Sequence, residues 1–466
     1  MLKTKFRIKS SDWEQQTPVF TSITPLDGRN YHKIKILSEF FSEFGLNRRR
    51  VEVEIRWLIF LSTRGFLSKI SLSQIKKLEE IVASFDLQDM AKVREWEKKT
   101  NHDVKAIEYF LDDKFSKIGL KNLIGKLHWG LAAEDVNNLA VNLNLRDYVD
   151  EQLLPLINQS LQALTGIILD SKCPMLGRTH GQPAEVTVLG KELAVFLARF
   201  KSEIFRLKQI KLQGKVAGAV GSFADQHFCF PTENWPKLTS KFVSSLGLDP
   251  VTATTQILPY DSLLVLFSGL LRLSNIAIDL VQNLWWYVSF GYFAQKKKMG
   301  EVGSSSMPQK INPIYLEGAE GGFEQSNALF EFYIRKLSRS RLQRDLSDST
   351  IRRSFGIAFA FSYLSWQSLE EALSRLSPQP EVMLNDLNNH WEVLIGPVLS
   401  YLRMLGYKQA YEFLVAETRG KSLTRQSYLD LVSKLKLEAK DSRKLKNLAP
   451  QSLIKPSLEV INEAVK

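Results

Sequence analysis

The sequence predicts a mainly α-helical protein with more than one domain. Three observations carry this: apolar residues recur at three- and four-residue steps over long stretches, alternating strand-like runs are few, and 466 residues exceed what one hydrophobic core usually serves. Over 186–210, Leu189, Leu193, Phe196, Leu197, Phe200, Ile204 and Leu207 fall on one helical stripe. Over 149–169, Leu153, Leu156, Ile157, Leu161, Leu164 and Ile168 do the same, and 316–337 repeats the pattern. Three or more such helices must share a core. The most apolar window, 262–290, contains Arg272, Asp279 and Gln282. A charge at the centre of a lipid-facing helix costs about 2.5–3.5 kcal/mol, so this window reads as a helix buried in protein. Breaker segments at 172–183 and 214–231 separate the helices. A charged region ends near residue 121, and Ser377-Pro378-Gln379-Pro380 interrupts the periodicity near 380, which divides the chain into 1–121, 122–379 and 380–466.

Composition narrows the function without choosing it. Two cysteines, Cys173 and Cys229, exclude a disulfide framework and a cysteine metal cluster, and read as small core residues. The net charge of +12 suits nucleic acid, an anionic surface or an anionic metabolite. From Lys421 onward the basic residues alternate with apolar ones at helical spacing and lack interleaved stacking aromatics. That pattern is a solvated helix face, not a nucleic-acid surface. Lys3, Lys5, Arg7 and Lys9 precede the first acid, Asp12, with no apolar run of the kind a signal peptide needs. The segment points away from secretion; its basic, acid-poor composition is compatible with an organelle transit peptide and reads better as a disordered tail.

Four polar clusters carry chemistry. Gly303-Ser304-Ser305-Ser306-Met307-Pro308-Gln309-Lys310-Ile311-Asn312-Pro313 joins glycine freedom, three hydroxyls, a lysine and an asparagine, while its prolines forbid helix. This is a loop bearing polar groups. Arg178-Thr179-His180-Gly181-Gln182-Pro183 sets a histidine, suited to proton transfer near neutral pH, in a turn fixed by glycine and proline. Thr100-Asn101-His102-Asp103 precedes a helical stretch to Leu111, with Asn101 a candidate cap and Asp103 favourable at the positive end of the dipole. Arg341 to Arg353 concentrates arginines and hydroxyls, shaped either for a surface ion-pair network or for bidentate binding of phosphate and carboxylate. A smaller turn, Pro25-Leu26-Asp27-Gly28-Arg29, presents an arginine.

Taken together, these clusters resemble the adenylosuccinate lyase family of the fumarase/aspartase superfamily, in its bacterial form, from about Thr21 to the C-terminus. The loop 303–313 is similar to the superfamily signature; 100–111, 178–184 and 343–353 are similar to this branch. The resemblance implies an all-α fold: a small helical N-terminal domain, a central bundle of five long helices and a small helical C-terminal domain. It also implies a cytoplasmic homotetramer whose active sites draw on three subunits, with no cofactor or metal and no nucleic-acid or membrane partner. The implied reaction is β-elimination of fumarate from adenylosuccinate, giving AMP, and from the succinylated aminoimidazole carboxamide ribotide, giving the aminoimidazole carboxamide ribotide, in purine biosynthesis. By the same resemblance Ser304 is the base and His180 the general acid. Lys310, with Asn312 hydrogen-bonding nearby, stabilises the developing negative charge on the substrate carboxylate. His102, supported by Asn101 and Asp103, binds phosphate or orients the acid. Arg29, Arg344, Ser349 and Arg353 hold phosphate and ribose, Gln256 contacts the succinyl part, and Thr179 and Ser305 are further residues binding the anionic nucleotide substrate. Ala132-Ala133 stands where the family often has Thr-Ser, and Gln309 and Asn30 replace a common histidine and tyrosine. These departures keep two alternatives open: a non-catalytic or weakened relative, and an argininosuccinate lyase.

Overall fold

In the computed structural model, which describes residues 22–298, 300 and 306–466, the main helices follow the apolar periodicity. In chain order they are α1 (Glu43–Thr63), α2 (Leu72–Ser84), α3 (Leu87–Thr100), α4 (Asp103–Lys117), α5 (Ala133–Tyr148), α6 (Leu154–Asp170), α7 (Leu189–Lys208), α8 (Asp261–Ser289), α9 (Ile314–Leu337), α10 (Phe355–Arg375) and α11 (Pro380–Asn388). Shorter helices continue to Val465. The stripe expected over 149–169 opens as a π-helical turn at Val149–Leu153 between α5 and α6. Pro313 ends the preceding loop and α9 begins at the next residue, as a proline just outside a helix allows.

Strand among the described residues is confined to three two-stranded pairings. One of them revises the breaker segment at 172–183: β1 (Pro174–Thr179) and β2 (Gln182–Val188) form an antiparallel hairpin. This is why α7 starts at Leu189, after the strand residues Val186 to Val188. The segment 214–231 likewise contains a six-residue helix, Ala224–Cys229. Cys229 is exposed at its end and Cys173 is only part-buried, so the cysteines are not the core residues that composition suggested.

The chain forms two compact units, each discontinuous in sequence. The first contains the chain up to Leu156, Arg206–Arg272 and Glu324–Leu364. Its N-terminal core sets Val51, Ile55 and Leu58 of α1 with Leu78, Ile81 and Val82 of α2 and Ile107, Phe110 and Leu111 of α4. Farther along, Tyr148, Phe267, Phe330 and Phe359 bring α5, α8, α9 and α10 together: Phe267 and Phe330 stack at 5.4 Å, and Tyr148 meets Phe359 edge-on at 5.1 Å. The second unit contains Ile157–Phe205, Leu273–Phe323 and Ser365–Lys466. There Trp366 of α10 is buried against Phe200 of α7 and Phe323 of α9. A separate core of Leu387, Trp391, Leu402, Leu414, Tyr428 and Leu445 organises the C-terminal helices with Leu176 of β1.

Helix α8 is long and apolar enough to cross a membrane, but 61% of that window is buried within the protein. Its Asp279 accepts from Arg199 at 2.5 Å. One of the charges expected to keep this helix in protein is thus partnered there.

Candidate active site

In the first unit the N-terminal turn of α4 departs from the sequence expectation by one residue. His102, not Asn101, is the N-cap: its backbone is extended and its Nδ1 accepts from the Lys105 amide at 3.2 Å. Asn101 instead ends α3 in the left-handed region at φ 52°, a conformation asparagine tolerates better than most residues. Because Nδ1 is an acceptor here, the tautomer that caps carries its proton on Nε2, on an exposed ring. Asp103 opens α4 as expected. Its Oδ2 accepts from Arg50 at 2.7 Å, and the guanidinium holds the carboxyl below its ordinary range against the opposing effect of burial.

Arg50 is the centre of this part of the site. Its buried guanidinium also donates to Asn137 of α5 and Asn47 of α1, each at 2.9 Å. Burial lowers its pKa, Asp103 opposes that, and Arg352 adds repulsion, which places the 341–353 segment within electrostatic reach. Arg352 in turn makes a two-point pair with Glu134, at 2.7 and 2.9 Å. Arg344 donates to Asp348 at 2.7 Å and lies 3.7 Å from Glu134. Tyr260 donates to Asp348 at 2.7 Å, and its burial pushes the phenol pKa up. Glu134, Tyr260 and Arg352, with Asn138 and Asn142, line a small cavity beneath this network.

Of the residues expected to hold phosphate and ribose, Arg344 is therefore already engaged by two carboxylates. Arg353 and Arg29 are exposed and make no ion pair among the described residues. Arg29 leaves a turn closed by Gly28 N to Thr24 O and Asn30 N to Pro25 O. Ser349 is half-buried on the helix Ser347–Arg352. Gln256 joins the arginine segment through its amide, which donates to the Gln343 carbonyl at 3.2 Å, while its side chain donates to Ala219 O at 2.9 Å.

Ala132 occupies the N-cap of α5 and Ala133 its first residue. The Asp135 carboxylate accepts from the Ala132 amide at 2.8 Å, but alanine offers no hydroxyl in return. Just upstream is a pair the sequence reading did not single out. His128, at φ 58°, donates its amide to Glu54 at 3.0 Å and shares a 2.6 Å contact between Nδ1 and Oε1. Burial alone would lower the imidazole pKa, yet the hydrogen bond and charge of Glu54 leave it raised. Arg50 and Glu54 lie on a helix that also buries Asn47, Arg48, Arg49 and Glu52. So many charges beside the stripe Val51, Ile55 and Leu58 were the available signal.

In the second unit His180 and Gly181 are the two central residues of the β1–β2 turn, at φ 51° and 73°. Two consecutive left-handed residues make the tight turn whose twist suits a two-residue hairpin, and glycine takes the second position without steric cost. The imidazole is thereby exposed at a hairpin tip, with Thr179 beside it, also exposed. The alternating, β-branched run Glu185-Val186-Thr187-Val188 was the sequence signal for it. Lys310 is exposed in a turn closed by its own amide to Met307 O at 3.1 Å. Asn312 Oδ1 is buried and finds no hydrogen-bond partner among the described residues. Ser304 and Ser305 lie outside the described residues.

Two family models match the chain: Lyase over residues 37–325 and Adenylosuccinate lyase C-terminal over 340–454. It is 36% identical over 453 residues to an adenylosuccinate lyase of Haemophilus influenzae, covering 96% of this chain and 99% of that one. It is 36% identical over 448 residues to the Escherichia coli K12 adenylosuccinate lyase, covering 95% and 98%. Among solved structures it resembles a fumarate lyase from Mesorhizobium, with a TM-score of 0.75 at 18% identity over 92% of this chain and 97% of that one. A β-carboxy-cis,cis-muconate cycloisomerase from Acinetobacter calcoaceticus gives 0.73 at 16% identity over 94% and 99%, a likeness of fold.

Proposed function

The chain belongs to the adenylosuccinate lyase family, and from that premise we propose how its own residues perform the elimination. It is a carbon–nitrogen lyase that releases fumarate from adenylosuccinate, leaving AMP, in purine biosynthesis. The observation that carries this is near-complete coverage of adenylosuccinate lyases together with the matched C-terminal family model, which selects this branch over argininosuccinate lyase.

In the proposed chemistry a base removes a proton from the succinyl carbon β to nitrogen. The electron pair forms the new C=C bond as the C–N bond breaks, and an acid protonates the departing nitrogen. Ser304 is the base and His180 the acid. Serine is weakly basic at its ordinary pKa, so its action requires a water-excluded site with positive charge close by, which Lys310 of the same loop supplies. Asn312, whose buried oxygen has no hydrogen-bond partner among the described residues, is suited to a donor on the substrate. The exposed guanidinium groups of Arg29 and Arg353 are suited to phosphate, and Arg344, fixed by Asp348, to the ribose side.

His102 presents an Nε2 proton donor from the N-terminus of α4, with Asp103 and Asn101 setting its place; Ser349 joins the phosphate and ribose contacts and Gln256 meets the succinyl part. The protein acts as a cytoplasmic homotetramer that shares residues between subunits. The net charge of +12 assists capture of a substrate carrying two carboxylates and a phosphate, and that assistance weakens with salt.

The decisive assay follows absorbance while purified protein is mixed with adenylosuccinate and, separately, with the succinylated carboxamide ribotide. AMP and fumarate are the expected products of the first. An assembled but inert protein would sink the reading in favour of a non-catalytic relative.

A further inference from the structure

We propose that Asp386, acting through Arg178, is a positioning residue that aims the hairpin bearing His180. This rests on the assignment of His180 as the general acid. Arg178 stands two residues before His180, where the β1–β2 register shifts between Gly177 and Arg178. The strands close tightly there: a Cβ on Gly177 would sit 2.8 Å from the Glu185 carbonyl oxygen. Such a bulge redirects the side chain that follows it.

Arg178 turns toward α11, where its Nη2 meets Asp386 Oδ2 at 2.7 Å. Its Nη1 donates to the Tyr292 hydroxyl at 3.0 Å, and that hydroxyl donates to the same Asp386 oxygen. The guanidinium also lies 5.0 Å from the Phe290 ring centroid. Asp386 is thus fixed by two donors and in turn fixes β1. Its other oxygen faces His390 Nε2 at 3.8 Å. His390 Nδ1 contacts Glu392 at 2.7 Å, and Glu392 accepts from the Leu423 amide at 2.8 Å. The next residue along α11, Leu387, is fully buried in the C-terminal core. Among the described residues the hairpin tip has no such anchor of its own, and His180 and Gly181 are both exposed. A two-residue turn carried on an anchored strand is a rigid mount; freed at Arg178, it pivots.

Asp386→Asn keeps the shape and removes the charge. It is expected to lower kcat by about 10- to 100-fold with KM changed less than about twofold, the loss typical of a misaimed catalytic group. Hydrogen exchange at the 178–182 amides should quicken, and Asp386→Glu should recover part of the rate. Leu78→Ala, which removes packing in the N-terminal core without touching the ion pair, should lower the melting temperature and leave kcat unchanged. Wild-type kcat in Asp386→Asn overturns the proposal, as does unchanged exchange in the hairpin. A fully active His180→Ala would overturn the acid assignment and with it the catalytic part of the proposal, whereas the exchange measurement judges the anchor alone.

Discussion

Asp135 and Lys215 form a 2.8 Å ion pair in which neither side chain reaches solvent. Asp135 also accepts from the amides of Ala217 at 2.9 Å and Gly218 at 3.0 Å, and through the Ala132 amide it ties the start of α5 to the same point. One carboxylate thereby locks the loop before α5 to the segment that follows α7. Removing one partner of a buried pair leaves an uncompensated charge, which costs about 3–5 kcal/mol. Lys215→Met should show that loss as a reduced urea midpoint, and an unchanged midpoint would contradict the role given to the pair.

Ala132 has the extended backbone of an N-cap, with φ −102° and ψ 159°, but no oxygen to accept from the first turn. Ala132→Ser should stabilise the protein by about 0.5–2 kcal/mol through the missing cap. If the family's hydroxyl also touches substrate, KM for adenylosuccinate falls in the same variant. Thermal unfolding and steady-state kinetics separate the two effects.

Because Glu54 raises the folded-state pKa of His128, protonation of that imidazole favours folding. The contribution is present in full below the unfolded value of about 6.5 and disappears as pH rises through the raised folded value. Glu54→Gln should therefore cost most stability on the acid side and progressively less toward alkaline pH. Denaturation midpoints of both proteins across that range test the sign: a gap that widens with pH would refute it.

Single replacements in the proposed catalytic set should separate chemistry from binding. His180→Ala should lower kcat by about 10²- to 10⁴-fold, the usual contribution of a positioned acid, with Ser304→Ala at least as severe. Arg353→Ala should instead raise KM with a smaller effect on kcat, because its exposed guanidinium is assigned to phosphate. A KM unchanged in Arg353→Ala would remove that residue from the site.

Helices were legible in the sequence wherever an apolar stripe ran at helical spacing over several turns, as in α7 and α9. Two features near the proposed site were less so. The 172–183 segment carried turn residues that fit a connector between helices as well as a hairpin, and only pairing of Pro174–Thr179 with Gln182–Val188 decides between them. At α4 both Asn101 and His102 could accept a backbone N–H, and the cap fell to His102 because Asn101 more readily takes the left-handed angle that closes α3.

By itself the sequence determined the helical class, the turn that holds Lys310 just before α9, and the chemistry such residue types suit, because periodicity and turn composition act over a few neighbouring residues. The tertiary structure alone decided which charges meet. Arg352 pairs with Glu134 across 218 positions of chain, Arg50 reaches Asp103, and Asp386 takes Arg178. A guanidinium reads the same in sequence whether it waits for phosphate or is already held by a carboxylate. Only the distance set by packing distinguishes Arg352, held on Glu134, from Arg353, which faces solvent one residue later.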